Sequence, residues 1–296
     1  MFESLSAGWK VASATRRVVF QDKQLLLYPV VSGIAGAVEF AALIAILVFG
    51  SLLVPAGMTQ SATSQGTSSA LLYAVIFIFY VVIGFTSTYV IMAMLIAFKS
   101  YMNGKKISML DALGQTSPYA VLILEWSVFS TTIVFIVRAI ENRLGPLGQI
   151  IFGTVAAIAI SAGTVFVVPI ILEEKVGPID AIRSSVNTLT KAFGQSFAGI
   201  LYTDLYGMGI TIIGIILIVG GVFMAASSAT VSLLAMGAGG IMLVFGVLVT
   251  SVLGNTFKLI LYEYTKTGSL PDGFTKEMME SAVRYRGGSN RPRQVA

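Results

Sequence analysis

The sequence predicts an all-α fold, a polytopic bundle of six transmembrane helices joined by amphipathic elbow helices. The first observation behind this is composition: 56% of the 296 residues are apolar and 11% are charged, against roughly 45–50% and about 25% in a soluble domain. The second is length. Six stretches reach the roughly 20 apolar residues that a helix needs to cross hydrocarbon, where only a helix or a closed barrel satisfies its own backbone. The third is charge order, because Lys and Arg gather on alternate connections.

The chain opens on an amphipathic segment, with Phe2, Leu5, Trp9 and Ala12 at helical spacing and Lys10, Arg16 and Arg17 beside them. The first span follows at about Leu27–Val54 and carries Glu39. The first long apolar stretch begins near Leu25, about twice the length of a signal peptide's apolar region, so a retained anchor is expected and not a cleaved leader. Residues Pro55 to Ala70 carry no charge and are rich in Ser, Thr, Gly and Gln, as a short external loop would be.

The second span lies at about Leu71–Phe98, and the third, at Pro118–Val137, contains Glu125 and is preceded by Asp111-Ala112-Leu113. The fourth covers Ile150–Leu172. The fifth, at Ala198–Ala225, contains Asp204 and is preceded by Asp180-Ala181-Ile182; the sixth ends the membrane domain at Val231–Thr256. The first, second and fifth exceed what the bilayer requires, which predicts tilt or interfacial extension. Three times an amphipathic segment thus precedes an acid-bearing span, and an acid-free span returns. Triplication of a two-helix unit would produce this rhythm, and so would alternating topology with basic flanks alone.

Orientation follows from the cations, which resist translocation. Lys10, Arg16, Arg17 and Lys23 precede the first span, Lys99, Lys105 and Lys106 follow the second, and Lys175, Arg183 and Lys191 follow the fourth. Lys258, Lys266, Lys276, Arg284, Arg286, Arg291 and Arg293 come after the sixth, making 17 on one side against Arg138 and Arg143 on the other. This bias predicts a multi-pass protein of the cytoplasmic (inner) membrane with both termini in the cytoplasm. Residues 1–268 form the membrane domain in this reading. Residues 269–296 form a tail in which Asp272 caps a short helix striped by Phe274, Met278 and Ala282, before a disordered basic end from Gly287 to Arg293.

Cysteine and histidine are both absent. Disulfides, thiolate nucleophiles, Cys/His zinc sites and every His-based acid–base mechanism go with them. The sequence also lacks a phosphate-binding loop, a nucleophile elbow and an EF-hand loop. No catalytic residue, metal site or cofactor is expected. The net charge of +5 is distributed beside apolar runs and forms no basic domain, so nucleic acid is not an expected partner.

Three acids stand inside apolar spans, Glu39, Glu125 and Asp204. A carboxylate at a span centre costs about 2.5–3.5 kcal/mol on insertion scales, so something must compensate it. At about 1.5 Å per residue, Glu125 and Asp204 lie roughly 10 Å from the cytoplasmic ends and Glu39 roughly 18 Å, with no basic residue expected at their depth. They are candidates for an intramembrane polar site; a neutral carboxyl hydrogen-bonded to Ser, Thr, Tyr or backbone is the plainer reading of each. Trp9, Lys10, Arg16, Arg17, Arg183 and Lys191 are candidates for contact with lipid or a partner on the cytoplasmic face.

Small-residue pairs at Gly33/Ala37, Gly153/Ala157, Gly221/Ala225 and Ala235/Gly239 suit close helix packing within the chain or across a homo-oligomer. Gly237, Gly239 and Gly240 mark an expected kink.

The span ending Val167-Val168-Pro169, followed by Glu173-Glu174-Lys175-Val176-Gly177-Pro178 and the helix Asp180-Ala181-Ile182-Arg183-Ser184-Ser185, resembles uncharacterised prokaryotic membrane families, notably domain-of-unknown-function family 6159. Ser6-Ala7-Gly8-Trp9, Leu25-Leu26-Leu27-Tyr28-Pro29 and Gly273-Phe274 with Met278-Met279-Glu280 and Ala282 share the resemblance. More distantly the chain looks like the membrane domain joined to some glycerophosphodiester phosphodiesterases, whose chemistry resides in a separate soluble domain. The resemblance implies a six-span membrane protein of unassigned activity.

The function expected from these features is that of a non-catalytic scaffold or accessory subunit, packing with membrane lipids, further copies or a membrane-protein partner. A small transporter or channel built on the three acids is the first alternative. A lipid-modifying enzyme using Glu173, Glu174 and Asp180 is the second.

Overall fold

In a computed structural model the chain is helical, with no strand among the described residues, which are 2–53, 62–191, 193–225 and 227–267. Side chains are described for 12–22, 24–49, 70–191, 200–225 and 227–267. The helices are α1 (Phe2–Gln21), α2 (Leu27–Leu53), α3 (Ala62–Met102), α4 (Met109–Thr116), α5 (Ala120–Glu141), α6 (Pro146–Thr164), α7 (Val167–Glu174), α8 (Pro178–Lys191), α9 (Phe193–Met224) and α10 (Ala229–Thr267). Among the described residues six helical stretches are long and apolar enough to cross a membrane, which makes this a multi-pass membrane protein. The tail helix and basic end expected beyond residue 268 lie outside the described residues, as do Pro55 to Gln60 of the first connection.

Local sequence sets the boundaries. Asp22 ends α1 and caps a 3-10 turn by accepting the Gln24 N–H at 3.3 Å. Ser108 and Asp111 form a capping box that starts α4, with Asp111 N–H donating to Ser108 Oγ at 3.1 Å and Ser108 N–H to the Asp111 carboxylate at 3.3 Å. Pro146 and Pro178 stand at the first positions of α6 and α8, where the missing N–H costs nothing. Lys175 closes α7 at φ 53°, the left-handed conformation of many helix ends.

The fourth expected span, Ile150–Leu172, is two helices, α6 and α7, interrupted at Val165-Phe166. Pro169 is the cause: it has no N–H for the Val165 carbonyl, and its ring crowds that carbonyl. The break frees backbone groups in a buried place. Phe166 N–H donates to Ser185 Oγ at 3.1 Å, and Phe166 and Ser185 are both fully buried. The Val-Val-Pro and Ala-x-x-Ser-Ser sequences are therefore two halves of one structural lock between the α6–α7 break and α8.

The chain forms two compact units. One contains α1, residues 98–106, the end of α8, α9 and α10. Here α1 packs on α9 and α10, and its buried residues Ala12, Thr15 and Val19 make a single stripe at spacings of three and four. At 39 residues, α10 is about 58 Å long, well beyond the roughly 30 Å of hydrocarbon. Its extra length is not a frayed end, because Thr256, Phe257, Leu259, Ile260, Leu261 and Tyr262 are all buried. Lys99 pairs with Glu263 at 3.2 Å in this unit.

The antiparallel α9–α10 pair is built on glycine. Gly207, Gly214 and Gly221 recur every seven residues on α9, and Ser232, Gly239 and Gly246 every seven on α10. A Cβ on Gly214 would stand 2.6 Å from Leu243 N and 2.7 Å from Gly239 O, and one on Gly239 would stand 2.6 Å from Gly214 O. One on Gly221 would stand 3.0 Å from Ser232 O. Backbone therefore lies on backbone, with the sevenfold repeat of a left-handed helix pair. At the end of the seam a Cβ on Gly207 would collide with the Thr250 hydroxyl and one on Gly246 with the Thr211 hydroxyl. Each hydroxyl donates to its own helix, Thr211 to Gly207 O at 3.0 Å and Thr250 to Gly246 O at 2.9 Å, so the seam carries no unsatisfied hydroxyl there.

Of the small-residue pairs, Gly221 and Gly239 belong to this seam, whereas a Cβ on Gly33 would meet nothing within 4 Å among the described residues. At the expected kink α10 continues as one helix through Gly237, Gly239 and Gly240. Of the three, only Gly239 stands where a Cβ would meet the partner helix.

The second unit holds α2, most of α3, and α4 to the greater part of α8. Past Tyr28, α2 has no buried residue among those described, and Ile34, Val38, Phe40, Ile44 and Phe49 are exposed, the pattern of a helix bathed in lipid. Tyr89 of α3 donates to the Leu113 carbonyl of α4 at 2.8 Å, tying the elbow to the span.

Candidate functional site

Glu39, in the middle of α2, accepts the Thr86 hydroxyl of α3 on Oε1 at 2.6 Å. Its Oε2 is buried without a hydrogen-bond partner among the described residues. The same two helices also meet through Phe40 and Phe79, whose ring centroids are 6.2 Å apart. Thr86 supplies the kind of local partner that the plainer reading expects, and its position on the neighbouring span left no signal in sequence.

Glu125 stands in the second turn of α5 and is exposed. Its Oε2 lies 3.7 Å from where a Cβ on Gly177 would be, against the turn between α7 and α8. The Lys175 ammonium of that turn sits 5.6 Å from the centre of the Tyr119 ring. Glu125 is thus placed beside the α7–α8 turn. Glu39 and Glu125 share no hydrogen bond, and neither lines the cleft between α5 and α6 of the same unit.

Asp204 belongs to the other unit, on the exposed side of α9. Lys258 of α10 is close enough to attract it electrostatically, an unexpected neighbour. The reason is the extent of the helices: α9 begins at Phe193, well before the expected start, and α10 continues to Thr267. A lysine assigned by sequence to the flank is thereby brought alongside α9.

The basic candidates separate by role. Trp9 and Lys10 lie on α1, outside the described side chains. The Arg16 guanidinium caps the Tyr206 ring at 4.9 Å, and Tyr206 stacks with buried Tyr202 at 6.3 Å. Such a cation–π contact is worth about 0.5–2 kcal/mol and fixes α1 against α9. Arg17 and Lys191 are exposed. Arg183 is bonded to Asp180 at 3.0 Å on the outer side of α8.

The acidic cluster at the α7–α8 turn is engaged locally. Ser184 donates to Glu174 at 3.0 Å, and Asp180 holds Arg183. Among the described residues no group of three or more Asp or Glu is arranged to hold a metal ion.

At the opposite end of α5, Arg138 and Glu141 pair at 3.0 Å beside α6. Their i,i+3 spacing was visible in sequence, but their shared use of the α5–α6 cleft was not.

In comparison with known proteins, the Family of unknown function (DUF6159) matches residues 69–272. No curated protein and no solved structure matches the chain.

Proposed function

The chain belongs to the DUF6159 family of unknown function, and from that premise we propose a non-catalytic integral membrane scaffold or accessory subunit that offers a fixed cationic shelf to anionic lipids or a partner. The observation that carries this reading is the docking of α1. Ala12, Thr15 and Val19 bury one side of the helix, Arg16 closes on Tyr206, and Arg17 is left exposed. A basic amphipathic segment that only trailed in solution would have no need of such a stripe. The cation distribution, 17 against two, supports placing this shelf and both termini on the cytoplasmic face of a prokaryotic inner membrane.

The test is purification of the full chain in mild detergent, followed by native mass spectrometry with phosphatidylglycerol. Retained anionic lipid should fall severalfold when Arg16 and Arg17 are changed together to Gln, since each basic residue near an anionic surface contributes about 1 kcal/mol. A monodisperse chain that retains no lipid and no homomeric or protein partner would remove the reading.

Glu39 with its Thr86 contact supports the transporter reading as the second choice. Normal ion flux in Glu39→Gln, Glu125→Gln and Asp204→Asn alike would eliminate it.

A further inference from the structure

The two helices of the α5–α6 hairpin enclose an open cleft of about 730 Å³, within the roughly 300–1,000 Å³ usual for small-molecule sites. It extends along α6 from Gln149 to Ser161, about 18 Å of helix. One leaflet of hydrocarbon is about 15 Å deep, so the cleft is one leaflet long.

Its chemistry changes along that length. Val134, Val137, Ala157, Ile158 and Ile160 make most of the wall apolar, with Ser161 at its far end, and the Thr154 hydroxyl on the wall donates its hydrogen to the Ile150 carbonyl at 2.7 Å. At the end nearest the α5–α6 turn stand Arg138 and Glu141. The Arg138 side chain is 74% exposed and directs one terminal nitrogen to Glu141, whereas a guanidinium has five N–H donors. The Glu141 side chain is 13% exposed and lies across Gly153, its Oε1 only 2.5 Å from where a Cβ would be. Any other residue at 153 would push the carboxylate away, so the glycine makes room for the charged end of the cleft.

A mostly apolar channel one leaflet long, ending in a cation and an anion of no net charge, has the polarity of a single lipid molecule. We propose that the α5–α6 cleft holds one zwitterionic phospholipid of the phosphatidylethanolamine class, its phosphate on Arg138, its ammonium on Glu141 and an acyl chain along Val134, Ala157 and Ile158. Arg suits phosphate because its planar donors match two oxygens at once. The carboxylate accepts from the ammonium and opposes a purely anionic headgroup. This site is independent of Arg16 and Arg17, and it goes beyond the scaffold reading.

The test uses the full chain in mild detergent, mixed with equal amounts of phosphatidylethanolamine and phosphatidylglycerol bearing the same chains, and reads retained lipid by native mass spectrometry. One phosphatidylethanolamine should be held in preference to phosphatidylglycerol. Arg138→Gln should lower that retention about tenfold, the loss of a contact of roughly 1.4 kcal/mol. Glu141→Gln should turn the preference toward phosphatidylglycerol, a reversal that general damage to the hairpin would not give. Ala157→Phe, which fills the channel, should abolish retention of both lipids there. Should Ala157→Phe fail to fold, the reversal in Glu141→Gln still decides. Equal retention of the two lipids by the unaltered chain, no reversal in Glu141→Gln, or a dimer that Ala157→Phe disperses would each overturn the proposal. Changing Arg16 and Arg17 to Gln should leave the phosphatidylethanolamine adduct intact, which separates failure of this site from failure of the shelf.

Discussion

The α9–α10 and α5–α6 hairpins are both antiparallel pairs of apolar helices, yet one is closed along its glycines and the other is open along its side chains. In the first, Gly214 and Gly239 let carbonyl meet backbone. In the second, the closest approach recorded at a glycine is a carboxylate over Gly153, and beyond it the helices leave a cleft. Apolar surface alone does not drive helices together in lipid, because the surroundings are equally apolar. What separates the hairpins is whether a repeating notch permits contact along the whole length.

The sharpest way to break the contrast is a methyl group in the closed seam. Gly214→Ala should destabilise the protein by about 3 kcal/mol, because the new Cβ meets backbone atoms that cannot turn aside. Denaturation of the reconstituted chain by increasing SDS fraction measures this. Gly209→Ala on the same helix is the companion: nothing lies within 4 Å of its Cβ position, so a change between zero and about 1 kcal/mol of stabilisation is expected.

A middle-sized effect is expected at the lock between the α6–α7 break and α8. Ser185→Ala removes the acceptor of the buried Phe166 N–H and should cost about 1–3 kcal/mol in the same titration, with Ser185→Thr recovering part of it. Preservation of full stability in Ser185→Ala would show that the break finds another acceptor.

The smallest expected effect lies in the open hairpin. Gly153→Ala meets only the far end of the Glu141 side chain, so it should cost about 1 kcal/mol or less while displacing that carboxylate. Thermal unfolding in detergent gives the cost. If Gly153→Ala proves as damaging as Gly214→Ala, the two hairpins do not differ in the way described.

Part of this architecture was legible residue by residue. The ends of α2 fall within a residue of expectation, and the Asp111 and Asp180 segments are helices that precede spans. The seam was legible in principle, through the seven-residue recurrence of Gly207, Gly214 and Gly221. Pairs four apart drew attention to Gly221 and Gly239 without revealing which helices paired. The fourth span was expected unbroken although Pro169 lies within it, and Ser185, which satisfies the Phe166 N–H, lies nineteen residues away.

The sequence by itself determined that the chain enters a membrane and roughly where, because transfer of a segment into hydrocarbon depends chiefly on the residues within it. It also determined the caps and the proline break, which act over a turn of helix. Only the tertiary structure decided that Thr86 meets Glu39, that Lys258 attracts Asp204, and that α9 closes on α10 while α5 and α6 stand apart. Each helix presents several faces of nearly equal hydrophobicity, so the choice of face is made by complementarity between distant segments.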